Sequence, residues 1–165
     1  MSENRNSARV LEIGCGDGRD AKEIIQRAAW YLGMDVSDNL LTIARKVCPE
    51  AQFVQDDITK FTFPDNIDII FSFASLLHVN KYEMKQILGK AYKALNPGGV
   101  FYISLKYLPL YTEKVQEDRF GKRQFFFYTP ELIMQLAGNT YECVYVDRQH
   151  LNNTDWFTIV LKKPN

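Results

Sequence analysis

Short apolar runs alternate with apolar stripes of helical period along most of this chain, and a sheet of largely parallel strands flanked by helices is what accommodates that order. The run from Val10 to Gly14 is followed by Ala21, Ile24, Ile25 and Ala28, which share one face of a helix. Trp30 to Asp35 reads as a second strand. Ser37 or Asp38 can then cap a helix that turns Leu40, Ile43, Ala44 and Val47 inward until Pro49 closes it. Gln52 to Gln55 and Ile67 to Phe73 make strands three and four, the second reading as covered on both faces. Met84, Ile87, Leu88, Ala91 and Leu95 form a long stripe halted by Asn96-Pro97-Gly98-Gly99, and Val100 to Leu105 is strand five. Thr129 and Pro130 open a further helix with Leu132, Ile133, Leu136 and Ala137 inward, ending at Gly138-Asn139. Tyr141 to Val146 and Trp156 to Leu161 have no room for a helix between them and should pair antiparallel. The reading is a doubly wound, Rossmann-like α/β sheet with one antiparallel strand near its end.

Composition narrows the function. At 165 residues, 46% apolar with 11 Phe and nine Tyr, the chain can bury one core, and residues 1–165 are read as a single domain. Twenty basic and 20 acidic side chains cancel and no basic block stands out, so nucleic acid is not expected as a partner. No apolar run approaches the length needed to span a membrane or act as a secretion signal. Cys15, Cys48 and Cys143 are odd in number and irregularly spaced, which suits reduced thiols in the cytoplasm rather than disulfides or a zinc site. No metal is expected. Asn152-Asn153-Thr154 matches a glycosylation sequon but carries no meaning without a secretory signal.

The densest chemical signal is Glu12-Ile13-Gly14-Cys15-Gly16-Asp17-Gly18, with three glycines in five residues between a strand and a helix. Glycine there tolerates positive φ and lets backbone amides approach a ligand. A helix starting near Arg19-Asp20 would add a partial positive charge suited to an anionic group. The spacing is GxGxG, so the dinucleotide fingerprint GxGxxG is not met. Asp35, closing strand two, can accept hydrogen bonds from a ribose diol or can cap the next helix. Asp56 or Asp57, after strand three, can accept from an adenine amino group or stand as a loop charge.

In this order, VLEIGCGDG, YLGMDVSDNLL, QDDITKF, IDIIFSFASLLHV and ALNPGGVFYIS resemble the successive motifs of the class I S-adenosylmethionine-dependent methyltransferases, over roughly residues 8 to 163. The resemblance implies sheet order 3-2-1-4-5-7-6 with strand seven antiparallel, S-adenosylmethionine as cofactor and S-adenosylhomocysteine as product. It also implies roles for named residues: Gly14, Cys15, Gly16 and Gly18 around the methionine portion, with Glu12 bracing the loop. Asp35 and Val36 would stand at the ribose, Asp57 and Ile58 at the adenine, and Phe73 to Ser75 near the sulfonium. Phe71-Ser72-Phe73-Ala74-Ser75 stands where base-amino and glutamine methyltransferases have Asn/Asp-Pro-Pro-Tyr, which leaves small molecules as the expected acceptors. Methyl transfer to O, N or S is an in-line displacement in which alignment and water exclusion supply most of the catalysis.

Acceptor-side candidates are spread more widely. His78, just beyond strand four, is a candidate base if the acceptor must lose a proton, and its alternative is a capping or packing role. His150 is assigned to the turn between the last two strands, exposed. Residues 106–128 show no clear period and form a candidate lid. Lys106, Arg119, Lys122, Arg123 and Tyr128 lie in it, and residues 106–128 as a whole carry five basic against three acidic side chains, which suit an anionic acceptor or a solvated face. Tyr128 is also a candidate catalytic residue, while Phe125-Phe126-Phe127-Tyr128 can wall a pocket or anchor the loop. Trp156 either points to this end or packs in the core. Relatives commonly carry a few dozen residues before the first motif, whereas about nine precede it here, so either the lid roofs the site, a partner chain or dimer does, or the chain is a truncated or degenerate member. Two competing readings are a non-catalytic S-adenosylmethionine-binding module and an aminopropyl transferase; the second is ranked last because no acid follows Asp68 in strand four.

Overall fold

A computed structural model describes residues 7–118 and 121–165. Seven strands, β1 (Arg9–Ile13), β2 (Trp30–Asp35), β3 (Gln52–Gln55), β4 (Ile67–Phe73), β5 (Leu95–Lys106), β8 (Glu142–Leu151) and β9 (Thr154–Lys162), form one sheet of order β3-β2-β1-β4-β5-β9-β8. The first five are mutually parallel, and β9 runs antiparallel to both its neighbours. Numbered without the hairpin described below, this is 3-2-1-4-5-7-6 with the seventh strand antiparallel. Helices α3 (Lys81–Ala94) and α4 (Pro130–Ala137) cover one face, where Leu11, Ile13, Ile70, Phe101, Ile103, Phe157 and Ile159 meet Met84, Ile87, Leu88 and Ile133 in the main core. A smaller cluster of Val10, Ala21, Tyr31 and Cys48 forms under α1 (Ala21–Ile24) and the end of α2 (Asp38–Val47). Alternation decides the division, since successive strand residues point to opposite faces. The row Phe71–Tyr102–Val160, aligned across β4, β5 and β9, stays half-buried on the second face.

Helix caps follow the expected chemistry and one was unforeseen. Thr129 caps α4 ahead of Pro130 as read, and the Ser37 side chain accepts from the Leu40 N–H to cap α2. Asn80-Lys81-Tyr82-Glu83 is a capping box for α3, with Asn80 and Glu83 each accepting the other's backbone N–H.

Four expectations need correction. Helix α1 is a single turn, so the periodicity through Ala28 does not become a long helix and no strong dipole faces the glycine loop. In α2 the buried residues are Leu41 and Ala44, while Leu40, Ile43 and Val47 are exposed. Both stripes have helical spacing, but Asp35 and Ser37 pin the first turn and the small Ala44 is what packs against Gly18. The candidate lid is not an irregular loop: β6 (Thr112–Asp118) and β7 (Gly121–Phe127) pair as an antiparallel hairpin, with Arg119 outside the described residues. Its period was hidden because Phe125, Phe126 and Phe127 are all buried, inserted into the main core instead of alternating. Finally, His150 lies within β8 and hydrogen-bonds Asp155 across the pair, at 2.7 Å. The turn itself is Asn152-Asn153, both at positive φ, the geometry of a tight two-residue hairpin.

Candidate functional site

The carboxyl ends of β1 to β4 open into a cleft of about 890 Å³, the position where open α/β sheets bind ligands. Its floor begins with the glycine loop after β1. Gly14, Gly16 and Gly18 have φ of +74°, +55° and +76°. At Gly14 a Cβ would sit 2.1 Å from Ser75 Cβ, so the loop lies hard against the end of β4. At Gly16 a Cβ would meet nothing within 4 Å, leaving open space on the cleft wall.

Four of the loop's amides are already used. The N–H groups of Gly14 and Cys15 donate to the Met34 carbonyl at 2.8 and 3.1 Å, and that of Gly18 donates to Cys15 O at 3.0 Å. The Gly16 N–H donates to Asp35 Oδ2 at 2.9 Å. The amides of the glycines and Cys15 are therefore spent on holding the loop's shape, and α1, a single turn, adds only a weak dipole beside it. Asp35 uses its other oxygen to accept from the Ser37 N–H at 2.9 Å, tying the loop to the start of α2. Each carboxylate oxygen keeps a further lone pair, and Asp35 lines the cleft.

Behind the loop, Glu12 is buried and accepts the Tyr31 hydroxyl. Burial pushes its carboxyl above the ordinary range, the Tyr31 hydrogen bond opposes this, and Asp20 and Asp35 add to the rise. Burial likewise pushes the Cys15 thiol up to about 12, so it is a packed, unreactive thiol beneath the loop. Tyr31 Oη and Cys15 Sγ both come within 3 Å of where a Cβ on Gly33 would stand, at 2.7 and 2.9 Å, which accounts for glycine inside β2. Asp57 lines the opposite side of the cleft beside Ile58. The backbone N–H and hydroxyl of Thr59 both donate to its Oδ1, at 2.9 and 2.8 Å, and hold the carboxyl below its usual value.

At the end of β4 the hydroxyl of Ser75 donates to the Ile13 carbonyl at 2.9 Å, which leaves Ser72 to donate to Ser75 Oγ at 2.8 Å. Ala74 is forced to φ +54°, a left-handed conformation uncommon outside glycine and Asn, at the cleft wall. Phe73 is 41% exposed, stacked on Phe71 and against Tyr102, and lines the cleft. Beyond it His78, Val79, Glu83 and Arg123 close the far end. His78 Nδ1 lies 2.9 Å from Gln124 O. A carbonyl can only accept, so Nδ1 carries the hydrogen and Nε2 is left for other chemistry.

The cleft thus gathers Gly14, Gly16, Asp35, Val36, Asp57, Ile58, Phe73, His78 and Arg123 from the residues singled out in the sequence. Glu12, Cys15 and Gly18 stand behind its surface as supports. Tyr128 is not at the surface: it is fully buried, its hydroxyl donates to Val79 O at 2.7 Å, and burial drives its pKa upward, which removes it as a candidate base or substrate contact. Lys106 packs over the rings of Phe125 and Trp156 at the end of β5. Ala74 and Ser75 line the cleft too, within the segment Phe73 to Ser75 expected there, while Ser37, Asn39, Leu40, Thr59 and Glu83 were missed as site residues. The capping box would have placed Glu83.

Residues 10–99 match the family model described as methyltransferase domain. Among curated proteins, the trans-aconitate 2-methyltransferase of Variovorax paradoxus strain S110 is 34% identical over 102 residues, covering 60% of this chain and 39% of that protein. The chain therefore spans about two fifths of that relative's length. A solved structure from Methanosarcina mazei described as a SAM-dependent methyltransferase superposes with a TM-score of 0.84 at 18% identity, covering 96% of this chain and 93% of that one. One from Listeria monocytogenes, described as a putative S-adenosylmethionine dependent methyltransferase, gives 0.83 at 19%, covering 100% and 95%. At these identities the two structures establish the fold.

Proposed function

The chain belongs to the methyltransferase-domain family, and from that we propose that it binds S-adenosylmethionine and transfers the methyl group to O, N or S of a small molecule. The observation that carries this is the glycine loop: the amides of Gly14, Cys15, Gly16 and Gly18 are satisfied within the protein while acidic side chains flank the cleft, which suits a nucleoside bearing a sulfonium better than a diphosphate. The residues fit the group. Gly16 leaves open wall for it, Asp35 keeps lone pairs for a ribose diol, and Asp57 with Ile58 offers an acceptor beside an apolar surface for adenine. When bound, this cofactor supplies an electrophilic methyl on a positively charged sulfur.

The chain's own contribution is alignment. Ser75 and Ser72 lock the end of β4 onto β1, so that Phe73 and Ala74 hold a fixed wall beside Gly14. Phe73 and Ile58 give the cleft apolar walls against which a bound cofactor would displace water. His78 Nε2 can take a proton from a hydroxyl or thiol acceptor; an amine acceptor that arrives neutral needs none. The acids and apolar wall of the cofactor end leave the His78 and Arg123 end for the acceptor.

Residues 1–165 act as one domain in this reading. No described helix is long and apolar enough to cross a membrane, and all three cysteines are free, which supports a cytoplasmic location. A second copy seated on the half-exposed Phe71, Tyr102 and Val160 row beside Phe73 would wall the open side of the cleft; sedimentation as a monomer at all concentrations would exclude it.

Calorimetric titration with S-adenosylmethionine and S-adenosylhomocysteine tests the cofactor site. Micromolar binding is expected, lost in Gly16→Arg, which fills the open wall. A folded sample that binds neither compound overturns the proposal.

A further inference from the structure

Two side chains at the far end of the cleft are each pinned through one atom and keep a second atom uncommitted. His78 Nδ1 is tied to Gln124 O at 2.9 Å, and Glu83 Oε2 accepts the Asn80 N–H at 2.8 Å in the capping box of α3. Among the described residues, His78 Nε2 and Glu83 Oε1 make no hydrogen bond and no ion pair reaches Glu83. Both residues line the cleft. The chain around them is fixed as well: the Val79 carbonyl accepts the Tyr128 hydroxyl at 2.7 Å, the Ala74 N–H donates to Ser104 O at 3.0 Å, and Ser75 is bonded to β1. From the end of β4 to the first turn of α3, one anchored segment thus offers a neutral nitrogen lone pair and a carboxylate oxygen. The cap alone does not call for that charge, because Gln closes the same box.

The cations of the neighbourhood are occupied elsewhere. Lys81 Nζ lies over the Tyr111 ring at 4.6 Å. Arg123 lines the cleft but is engaged, its guanidinium 5.3 Å from the centre of the Phe125 ring, and the strand facing it carries Glu113, Glu117 and Asp118. Lys106 packs over Phe125 and Trp156 and is not part of the lining. Along the cleft as a whole, Asp35, Asp56, Asp57 and Glu83 stand against Arg123. Three of those acids lie at the end suited to a nucleoside with its sulfonium, which leaves Glu83 to be answered by whatever enters the other end.

We propose that the methyl acceptor is an amine that arrives as an ammonium, recognised by Glu83 and deprotonated by His78 Nε2. The inference rests on the methyltransferase reading for the word acceptor, but binding of an ammonium by Glu83 does not. The ammonium donates to Glu83 Oε1 and gives one proton to His78, whose ring becomes an imidazolium with both nitrogens protonated. The freed nitrogen lone pair then attacks the methyl carbon. The N–C bond forms as the C–S bond breaks with its electron pair going to sulfur, so a methylated ammonium, a neutral thioether and the imidazolium remain. Glu83 is the specificity residue in this scheme, and His78 the base.

The test is a nuclear magnetic resonance titration of the isotope-labelled full chain, with and without S-adenosylhomocysteine, against two series that differ chiefly in charge: benzylamine, benzyl alcohol and benzoate, and butylamine, butanol and butyrate. In at least one series the amine should bind saturably, with shifts at residues 78, 79 and 83, and about tenfold or more tighter than its alcohol and its acid. Glu83→Gln keeps the capping box, so it should melt close to the parent yet lose the preference for the amine, while Lys46→Gln on the exposed side of α2 should retain it. An alcohol or acid that binds as tightly as its amine in both series, binding of no compound, or an amine preference that Glu83→Gln leaves intact overturns the inference. The two series on the parent chain decide the matter even where the variant fails to fold. Failure of S-adenosylhomocysteine to bind overturns the cofactor reading instead and leaves the amine titration interpretable. In a methyl-transfer assay with the amine that binds, the methyl should appear on nitrogen; Glu83→Gln should raise KM with a smaller effect on kcat, and His78→Gln should lower kcat.

Discussion

The loop after β1 and the hairpin after β5 are both built to present a surface to the same cleft, yet they achieve it by opposite means. The glycine loop removes side chains and satisfies its backbone internally, so that its shape is set by Gly14 against Ser75 and by Asp35 against Gly16. The hairpin drives three consecutive phenylalanines into the core and brings the Arg123 side chain, two residues before them, to the cleft. A surface made of backbone tolerates almost no change, whereas one made of side chains on an anchored hairpin can be altered residue by residue. That contrast matches the family model's extent, which covers β1 through the start of β5 and stops before the hairpin.

Substitutions can break this contrast, beginning with the most damaging. Gly14→Ala should cost about 4 kcal/mol or more and abolish S-adenosylhomocysteine binding, because its Cβ would overlap Ser75 at a φ that only glycine adopts freely; thermal melts and calorimetry read both. Phe126→Ala removes a buried ring stacked near Tyr111 and should cost about 3–4 kcal/mol by denaturant titration. Below its lowered Tm it should keep its affinity for S-adenosylhomocysteine. Equal damage to cofactor affinity from both variants would show that the two surfaces are not independent. Asp35→Asn should cost only about 1–2 kcal/mol in stability, yet weaken cofactor affinity about tenfold or more.

Smaller effects sharpen the loop's side of the comparison. Glu12 has its carboxyl raised above the ordinary 4.5, so between these values the folded chain holds more protons than the unfolded one. Its contribution to stability is therefore fully present below about 4.5 and is lost as pH rises through the raised value. Asp57 runs the other way: lowered from 3.8, it contributes above that value and loses its contribution as pH falls through the depressed one. Denaturant titrations from pH 4 to 8 should show a shallower decline toward high pH in Glu12→Gln than in the parent, and an unchanged slope would refute the assignment. The smallest effect belongs to Glu131→Gln, which removes an exposed 3.5 Å pair with Arg148 and should alter stability by no more than about 0.5 kcal/mol.

Much of the sheet was legible because strand and helix periods differ and because parallel strands demand crossovers. The loop residues and Asp35 were legible for the same reason, since a glycine run and an acid at strand ends have few other uses. The amide accounting was not, because whether Gly14 and Cys15 donate to a ligand or to Met34 depends on the strand beside them and not on their own sequence. Helix α2 misled because Leu40-Leu41 and Ile43-Ala44 fit two rotations equally well, and only Gly18 selects one. The hairpin escaped notice because residues buried on both sides of a strand erase its alternation. Tyr128 illustrates the same limit: an aromatic hydroxyl looks alike in sequence whether it meets substrate or, as here, the Val79 carbonyl.

The Asn152-Asn153 turn has a consequence for cutting the molecule in two. Strand β9, which follows it, lies between β5 and β8 and supplies Phe157, Ile159 and Leu161 to the core. A backbone nick at the turn would leave a long fragment with an open slot between those neighbours, and a short one able to enter as an interior strand with hydrogen bonds on both edges. The chain thus carries near its end a split point at which fragment complementation, and not refolding of a single polypeptide, would restore the sheet.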